Sequence, residues 1–108
     1  MSRLDILTED EAIEAIKRYI LYHEYRGFDS WFSWYVGITN DPKRRLYDEH
    51  KAAIGISYYV AVESEEVARR VEDKLVNDLK MDGNPGGGEN PKFVYTFKKT
   101  KQTVPSIG

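Results

Sequence analysis

The sequence contains no cysteine, which excludes disulfide bonds and thiolate metal sites. No apolar run approaches the roughly 20 residues that a membrane-spanning helix requires, and the first residues lack the basic-then-apolar layout of a secretion signal. Neither sign of charge is in excess, because 16 Lys and Arg balance 18 Asp and Glu to a formal net charge of −2. These absences predict a cytoplasmic protein without a membrane partner, and they argue against broad, nonspecific coating of nucleic acid.

The 108 residues suffice for one domain with a core of modest depth. Hydrophobic residues make up 41% and charged residues 31%, an ordinary balance for a globular protein, and eight tyrosines supply much of the packing area. We interpret residues 1–108 as a single domain with an N-terminal helical region over about residues 8–26, a core over about residues 31–100 and a loose polar tail over residues 101–108.

Hydrophobic periodicity and helix-capping residues predict the element order α-β-α-β-α-β. Thr8 followed by Glu11 has the form of a capping box, Asp41 followed by Pro42 is a strong helix start, and Ser64 is a suitable N-cap. The predicted elements cover about residues 8–25, 32–39, 41–53, 56–63, 64–80 and 92–98. The fold class is therefore α/β (α+β), with a small three-stranded, mainly antiparallel sheet flanked by helices.

Glu72 interrupts the apolar stripe of the third predicted helix. It lies four residues from both Ala68 and Val76, and the stripe consists of Ala68, Val71, Leu75, Val76 and Leu79. An unpaired buried carboxylate is costly, so such groups are normally paired, bound to a metal or neutral. Two interpretations stay open: an ion pair with Arg44, Arg45 or a lysine at the edge of the stripe, and a functional carboxylate.

The junction between the first strand and the second helix gathers a tyrosine, a glycine and basic side chains. Tyr35 and Gly37 lie on one strand face, where the glycine leaves room for a ligand to approach. The helix N-terminus favours anions, and the Arg45 guanidinium matches phosphate oxygens. The junction is a candidate phosphate site; the alternative is a solvated basic turn of Lys43, Arg44 and Arg45 beside a tyrosine that only packs.

Two further features allow more than one interpretation. His50, near the end of the second predicted helix, is either a proton carrier or a favourable charge at a helix C-terminus. The glycine triplet after Asn84 lacks the Gly-Lys-Ser/Thr ending of a P-loop, and the order of elements is wrong for a dinucleotide-binding motif. We therefore predict a turn or a flap there.

The segment Tyr35-Val36-Gly37-Ile38-Thr39-Asn40-Asp41-Pro42-Lys43-Arg44-Arg45-Leu46 resembles the second half-motif and following helix of GIY-YIG nuclease domains. In those domains a Tyr-Ile/Val-Gly strand precedes a helix with an arginine ten residues after the tyrosine, which is the spacing of Tyr35 and Arg45. The family's glutamate on the next long helix, often four residues after an alanine, matches Glu72 and Ala68. The resemblance covers residues 32–84, about half of the chain.

The resemblance implies a metal-dependent phosphodiester endonuclease that acts on DNA. Glu72 would hold Mg²⁺ or Mn²⁺, and Arg45 would neutralise charge that develops on the phosphate. Tyr35 would position or deprotonate the attacking water, while Tyr95 and His50 are candidates for the remaining proton transfer. The implied substrate-binding residues are Gly37, Lys43, Arg44 and Asn84, with Asn90 as the alternative to Asn84.

Two departures from the family pattern shape the expectation. The family's histidine, four residues after the arginine, corresponds to Glu49, so His50 is one residue late, about 100° around an α-helix. No Gly-Ile-Tyr strand precedes Tyr35, and the strand over residues 92–97 offers a replacement. The topology would then be circularly permuted, with Tyr95 in place of the first tyrosine and with this strand paired to residues 33–39.

Two rival interpretations remain beside the nuclease. The first is a catalytically inactive module that keeps this fold and binds nucleic acid or a protein partner. The second is a structural protein in which Glu72 and Arg45 form an internal ion pair. A nuclease of this size would take its specificity from substrate shape, a homodimer or a partner, and we expect its Tyr35, Arg45 and Glu72 to converge on an open groove.

Overall fold

A computed structural model describes residues 5–24, 27, 30–83, 88 and 90–104. These residues form four strands, two α-helices, one π-helix and two short 3₁₀ turns. In chain order they are β1 (Ile6–Leu7), α1 (Glu9–His23), a 3₁₀ turn (Trp31–Ser33), β2 (Trp34–Thr39), the π-helix (Arg44–Glu49), a 3₁₀ turn (Ile54–Ile56), β3 (Ser57–Val62), α2 (Glu65–Asn77) and β4 (Phe93–Lys98).

The sheet has four strands in the order β1-β3-β4-β2. β4 pairs antiparallel with both β2 and β3, whereas β1 pairs parallel with β3. The α/β class is therefore confirmed, and the three predicted strands pair antiparallel. The predicted strand count is wrong, because β1 adds a fourth strand that makes the sheet mixed. β1 contains two residues, too few for a period of two to stand out in the sequence.

The two α-helices begin at the residues that were predicted to cap them. The Thr8 hydroxyl accepts from the Glu11 N–H at 3.2 Å, and the Glu11 carboxylate accepts from the Thr8 N–H at 2.9 Å, which completes a capping box. The Ser64 hydroxyl accepts from the Val67 N–H at 3.2 Å. Both helices bury their apolar stripes against one face of the sheet.

The two faces of the sheet have different cores because side chains alternate along β2. Trp34, Val36 and Ile38 pack with α1 and α2. The opposite face carries a smaller cluster made of Tyr35, Leu46, Ala52, Tyr95 and Phe97. The π-helix covers this second face, so the aromatic side of β2 lies under the residues that follow the strand-to-helix junction.

The second predicted helix starts as expected but continues differently. The Asp41 carboxylate accepts from the Arg44 N–H at 3.3 Å, which supports the predicted helix start at that residue. An α-helix over residues 41–53 is wrong, because the His50 N–H bonds to the Arg45 carbonyl, five residues back, at 2.9 Å. Lys51 at φ +60° then ends the helix. The wider turn lets both Leu46 and His50 be buried.

Residues 100–104 are held by hydrogen bonds, contrary to the expectation of a loose tail that begins at residue 101. The Thr103 hydroxyl donates to the Thr100 carbonyl at 2.9 Å, and the Val104 N–H donates to the His50 carbonyl at 2.7 Å. Residues 105–108 lie outside the described part of the chain. No described helix is long and apolar enough to cross a membrane.

Candidate functional site

Tyr35, Tyr95 and His50 come together on the second face of the sheet. The His50 ring centroid lies 4.9 Å from that of Tyr35 and 5.4 Å from that of Tyr95. Phe97 packs on the same rings, 5.2 Å from Tyr35 and 4.8 Å from His50. Three predicted site residues, from two strands and the end of the π-helix, therefore share one buried aromatic cluster.

Tyr95 lies opposite Gly37 in the register of β2 and β4. A Cβ at residue 37 would meet the Tyr95 hydroxyl, and it would lie 2.5 Å from Cζ of the same ring. The phenol thus crosses the neighbouring strand in space that only glycine leaves open. The predicted pairing of residues 92–97 with residues 33–39 is confirmed by this register.

His50 is hydrogen-bonded through both ring nitrogens. Its Nδ1 lies 2.7 Å from the Val104 carbonyl oxygen, and its Nε2 lies 2.7 Å from the Tyr95 hydroxyl. Burial lowers the pKa of His50 below its ordinary value, and nearby Arg45 lowers it further, against the Val104 carbonyl. The imidazole is therefore neutral at pH 7.

The π-helix changes where His50 sits relative to Arg45. In an α-helix, residue 50 would lie about 100° from the position four residues after Arg45. In the observed helix the bond from the His50 N–H to the Arg45 carbonyl stacks residue 50 over residue 45. The extra residue per turn brings His50 to the place that the fourth residue after Arg45 would take in an α-helix.

Arg45 pairs with Glu49, a residue that the sequence-based prediction did not place in the site. Nη1 of Arg45 donates to the Glu49 carboxylate at 2.8 Å, and Nε of Arg44 lies 3.3 Å from the same carboxylate. Nε of Arg45 is buried without a hydrogen-bond partner among the described residues. The i,i+4 spacing of Arg45 and Glu49 was the available signal. Arg45 thus keeps one donor for an anion.

Glu72 lies on α2 with its carboxylate incompletely satisfied. Oε2 is buried and has no hydrogen-bond partner among the described residues. Burial raises the pKa of Glu72 to about 7, with Arg69 opposing and Asp73 adding to the rise. Contrary to the alternative prediction of an internal Glu72–Arg45 ion pair, Arg45 bonds Glu49 at 2.8 Å.

A groove of about 660 Å³ runs along α2 beside Glu72. Its lining consists of Glu66, Arg69, Arg70, Glu72, Asp73, Val76, Asn77 and Gly83. Of the predicted catalytic residues only Glu72 lines this groove, and Tyr35 and Tyr95 are buried, with 4% and 3% of their surface exposed. The expected convergence of Tyr35, Arg45 and Glu72 on one open groove is therefore wrong, because neither Tyr35 nor Arg45 is among the lining residues.

The buried and groove-lining groups are nevertheless electrostatically coupled. Burial raises the pKa of Tyr95 far above its ordinary value, the negative charges of Glu72 and Glu49 add to the rise, and Arg45 opposes it. Because such effects need short separations, the Tyr95 hydroxyl lies within the electrostatic reach of all three groups.

The remaining predicted residues lie at the edge of this site or outside it. Lys43 and Arg44 are exposed on the turn that begins the π-helix. Asn84 lies outside the described residues, and Asn90 is exposed with φ +48°.

The donor set around Glu72 fits a hard divalent cation. A buried carboxylate oxygen without a partner is the ligand type that Mg²⁺ prefers, and Mg²⁺ takes few protein ligands and keeps several waters. Within the described residues no three His, Asp or Glu side chains lie close enough to hold an ion jointly. Oε2 of Glu72 is the buried carboxylate oxygen in the described residues that lacks a hydrogen-bond partner, so it is the candidate ligand atom.

No protein-family model matches the chain, and no solved structure matches it. A stretch of 49 residues is 41% identical to the alanine racemases of Campylobacter jejuni subsp. doylei and Campylobacter jejuni subsp. jejuni serotype O:2. The match covers 45% of this chain and 15% of each racemase. This share of the racemase is too small to carry the activity of that enzyme to this chain.

Proposed function

We propose that the protein is a metal-dependent phosphodiesterase, a DNA endonuclease of the GIY-YIG type with a permuted first strand. The observation that carries the proposal is the pair of unsatisfied buried atoms, Oε2 of Glu72 and Nε of Arg45, within electrostatic reach of one phenol. A carboxylate oxygen suits a divalent cation and a guanidinium donor suits a phosphate, so the two atoms match the two ligands that phosphodiester cleavage requires.

Glu72 would hold the cation at the side of the groove. When bound, Mg²⁺ or Mn²⁺ would supply Lewis-acid stabilisation of the leaving oxygen. Ionisation of Glu72 is costly without the cation, since burial raises its pKa to about 7. A carboxylate kept poorly solvated in this way gains more from binding a cation than an exposed carboxylate would.

Arg45 would neutralise charge that develops on the phosphate. Its side chain is 23% exposed, and its bond to Glu49 leaves the buried Nε without a hydrogen-bond partner among the described residues. Glu49 holds the guanidinium in place through Nη1 and lowers the local positive charge at the same time. The ion pair therefore orients the Arg45 guanidinium, but it weakens the attraction of Arg45 for a phosphate.

Tyr35 and Tyr95 would position the attacking water, and neutral His50 would receive a proton. An ordinary phenol has a pKa of about 10, and burial raises that of Tyr95 further, so neither phenol is an effective base by itself. Neutral His50, bonded to the Tyr95 hydroxyl at 2.7 Å, would provide the proton acceptor.

The arrangement of β4 supports the permuted version of the motif. β4 lies antiparallel beside β2, and Tyr95 lies opposite Gly37, where the resemblance calls for the first tyrosine strand. On this reading the first tyrosine comes from the C-terminal side of the chain. Lys43 and Arg44 would contact backbone phosphates of the DNA, and a homodimer or a partner would add specificity.

The second candidate function is a catalytically inactive module that binds nucleic acid or a protein. The Arg45–Glu49 ion pair favours it, because a neutralised guanidinium attracts a phosphate less strongly. The Trp31 ring is only partly exposed and packs against the core, so it offers little area for stacking on bases.

Nicking of supercoiled plasmid tests the proposal. The protein is incubated with Mg²⁺, Mn²⁺ or EDTA, beside Glu72→Ala and the neighbouring Asp73→Ala as the matched control. We expect metal-dependent nicking by the unsubstituted chain and by Asp73→Ala, and none by Glu72→Ala, with equal far-UV circular dichroism for all three. Full Mg²⁺-dependent nicking by Glu72→Ala would rule out Glu72 as the metal ligand. Metal-independent DNA binding without nicking would instead support the second candidate function.

A further inference from the structure

We infer that the main chain of Val104 is a positioning element that fixes the tautomer of His50, and with it the direction in which a proton crosses the site. The inference deepens the proposed function and rests on it for its catalytic meaning. It concerns a segment that neither composition nor the family resemblance placed near the site. Its basis is a set of three short hydrogen bonds.

Residue 104 is bonded to residue 50 twice. The Val104 N–H donates to the His50 carbonyl at 2.7 Å, and the Val104 carbonyl lies 2.7 Å from Nδ1 of the His50 ring. A carbonyl oxygen can only accept, so Nδ1 must carry the proton. Nε2 of the neutral ring is then a bare acceptor, and the Tyr95 hydroxyl, 2.7 Å away, must donate to it.

This direction decides what Tyr95 can do. With its own proton committed to His50, the Tyr95 oxygen presents lone pairs and can accept a proton from a water. As the water O–H bond breaks and a new Tyr95 O–H bond forms, the former Tyr95 proton moves to Nε2 of His50. Hydroxide and an imidazolium result, and the imidazolium keeps its Nδ1–H bond to the Val104 carbonyl.

The opposite tautomer would block this transfer. If Nε2 carried the proton, the ring would donate to the Tyr95 oxygen, and the phenol proton would point away from His50. Tyr95 would then be a donor towards the substrate, and His50 would have no lone pair facing the site. The Val104 carbonyl therefore selects between a water-activating and a non-activating state of the same three groups.

Residue 104 is held by its hydrogen bonds more than by burial. The Val104 side chain is 44% exposed. The preceding turn closes through the Thr100 N–H and the Thr103 hydroxyl at 3.0 Å, and the Lys99 N–H bonds to the Ser33 carbonyl at 2.9 Å. A substitution that removes the main-chain bond of residue 104 can therefore release the carbonyl while the rest of the core stays packed.

The test uses the full chain with Val104→Pro, and Val104→Ala as the matched control. Proline lacks the N–H that bonds to His50, and its ring would clash with that carbonyl, whereas alanine keeps the main chain. Nitrogen-15 NMR of the imidazoles reports the tautomer, with His50→Gln for assignment and His23 as an internal reference. Nicking rates and their pH profiles are measured on the same variants.

We expect the Nδ1–H tautomer of His50 in the unsubstituted chain and in Val104→Ala. In Val104→Pro we expect a shift towards Nε2–H and a nicking rate lowered at least tenfold, with unchanged Mg²⁺ affinity. The low-pH limb of the pH profile of the nicking rate should also shift in Val104→Pro. The titratable or charged groups that face His50 are Tyr35, Tyr95, Arg45 and Glu49.

Three results would overturn the inference. They are an Nε2–H tautomer in the unsubstituted chain, an unchanged tautomer in folded Val104→Pro, and full nicking by Val104→Pro after its tautomer has shifted. The first needs no variant, so it decides even if Val104→Pro fails to fold. Failure of the nuclease proposal is a separate outcome, because absence of nicking by the unsubstituted chain leaves the NMR result to decide the tautomer.

Discussion

Gly37 and Tyr95 lie so close across the β2–β4 pair that the ring occupies the space of a residue-37 side chain. A Cβ at residue 37 would lie 2.5 Å from Cζ of Tyr95, well inside van der Waals contact. The position of the phenol therefore depends on the absence of a single methyl group. Because the same phenol bonds His50, the glycine affects the geometry of the Tyr95–His50 hydrogen bond as well as the packing of the sheet.

Gly37→Ala should displace the Tyr95 ring. We expect nicking to fall at least tenfold and the free energy of unfolding to fall by about 1–3 kcal/mol, since an overpacked site must shift its neighbours. Gly55→Ala is the control, because a Cβ there would meet no atom within 4 Å. Plasmid nicking and urea denaturation measure both effects, and full nicking by Gly37→Ala would contradict the role of the glycine.

Tyr95→Phe should leave the fold intact and remove proton transfer. His50 would keep a buried Nε2 without a donor, which costs about 1–3 kcal/mol of stability. Tyr47→Phe is the matched control, since it also removes one phenol hydrogen bond, to the Ser57 hydroxyl at 3.1 Å, away from His50. We expect at least a tenfold loss of nicking for Tyr95→Phe and less than a twofold change for Tyr47→Phe. Equal rates for the two variants would exclude Tyr95 from the reaction.

Glu72→Gln should stabilise the protein at alkaline pH while abolishing nicking. The pKa of Glu72, about 7 when folded, exceeds the ordinary value of 4.5, so the folded state holds the proton more tightly than the unfolded state. The stability of the unsubstituted chain should therefore fall as pH rises from 4.5 to 7 and stay low above that window. At pH 8 we expect Glu72→Gln to be more stable by up to roughly 2–3 kcal/mol, and at pH 4 equally stable. Denaturation midpoints at the two pH values check this sign.

Metal affinity should rise with pH through the same group. With a pKa of about 7, Glu72 is mostly protonated at pH 6 and mostly ionised at pH 8. Because the cation binds the carboxylate only, we expect the affinity for Mg²⁺ or Mn²⁺ to increase about tenfold from pH 6 to pH 8. Calorimetric titration measures it. An affinity that is constant over this range, or equal in Glu72→Gln, would rule out Glu72 as the ligand.

Glu24→Ala tests how much a buried carboxylate outside the site stabilises the fold. The buried Glu24 carboxylate accepts from the Trp34 indole at 2.8 Å and from Lys98 at 2.7 Å. Burial alone raises the pKa of Glu24, but the Lys98 and Trp34 hydrogen bonds outweigh it and hold the pKa below its ordinary value. Its contribution is therefore present at neutral pH and is lost as pH falls through the folded pKa.

For Glu24→Ala we expect a loss of about 2–4 kcal/mol at pH 7 and a smaller loss at pH 3. Glu14→Ala removes an exposed pair with Lys17 at 3.7 Å and should change stability by less than about 0.5 kcal/mol. Thermal unfolding at both pH values gives the comparison. A Glu24→Ala variant as stable as Glu14→Ala would show that the buried carboxylate adds nothing to the fold.

Much of the fold could be predicted because its signals are local. The Thr8 and Ser64 caps and the alternation along β2 each lie within a few residues of the element they define. β1 could not be predicted because two residues are too few to show a period. The π-helix could not be predicted because its extra residue goes with the burial of His50 and not with a local sequence pattern.

Site residues could be predicted where a residue type was unusual for its position in a helix or strand. Glu72 stood out as a carboxylate in an apolar stripe, and its burial without a hydrogen-bond partner for Oε2 agrees with that signal. The Val104 contact with His50 could not be predicted, because residues 54 positions apart carry no local pattern that relates them. The Arg45–Glu49 pair was visible as an i,i+4 spacing, but only the structure shows that it replaces a pair with Glu72.

β4, which pairs with both β2 and β3, is the last of the four strands in the chain. β4 lies between β3 and β2, and its partners in β2 are 54 to 64 residues earlier. A growing chain that has not yet extended through Lys98 holds β2 and β3 without their shared neighbour, so folding must wait for distant contacts and is expected to be slow. Tyr95 arrives with the same strand. A chain not yet extended through Lys98 therefore has neither a complete sheet nor the phenol of the proposed site, and the cleavage that we propose would begin only after the sheet has closed.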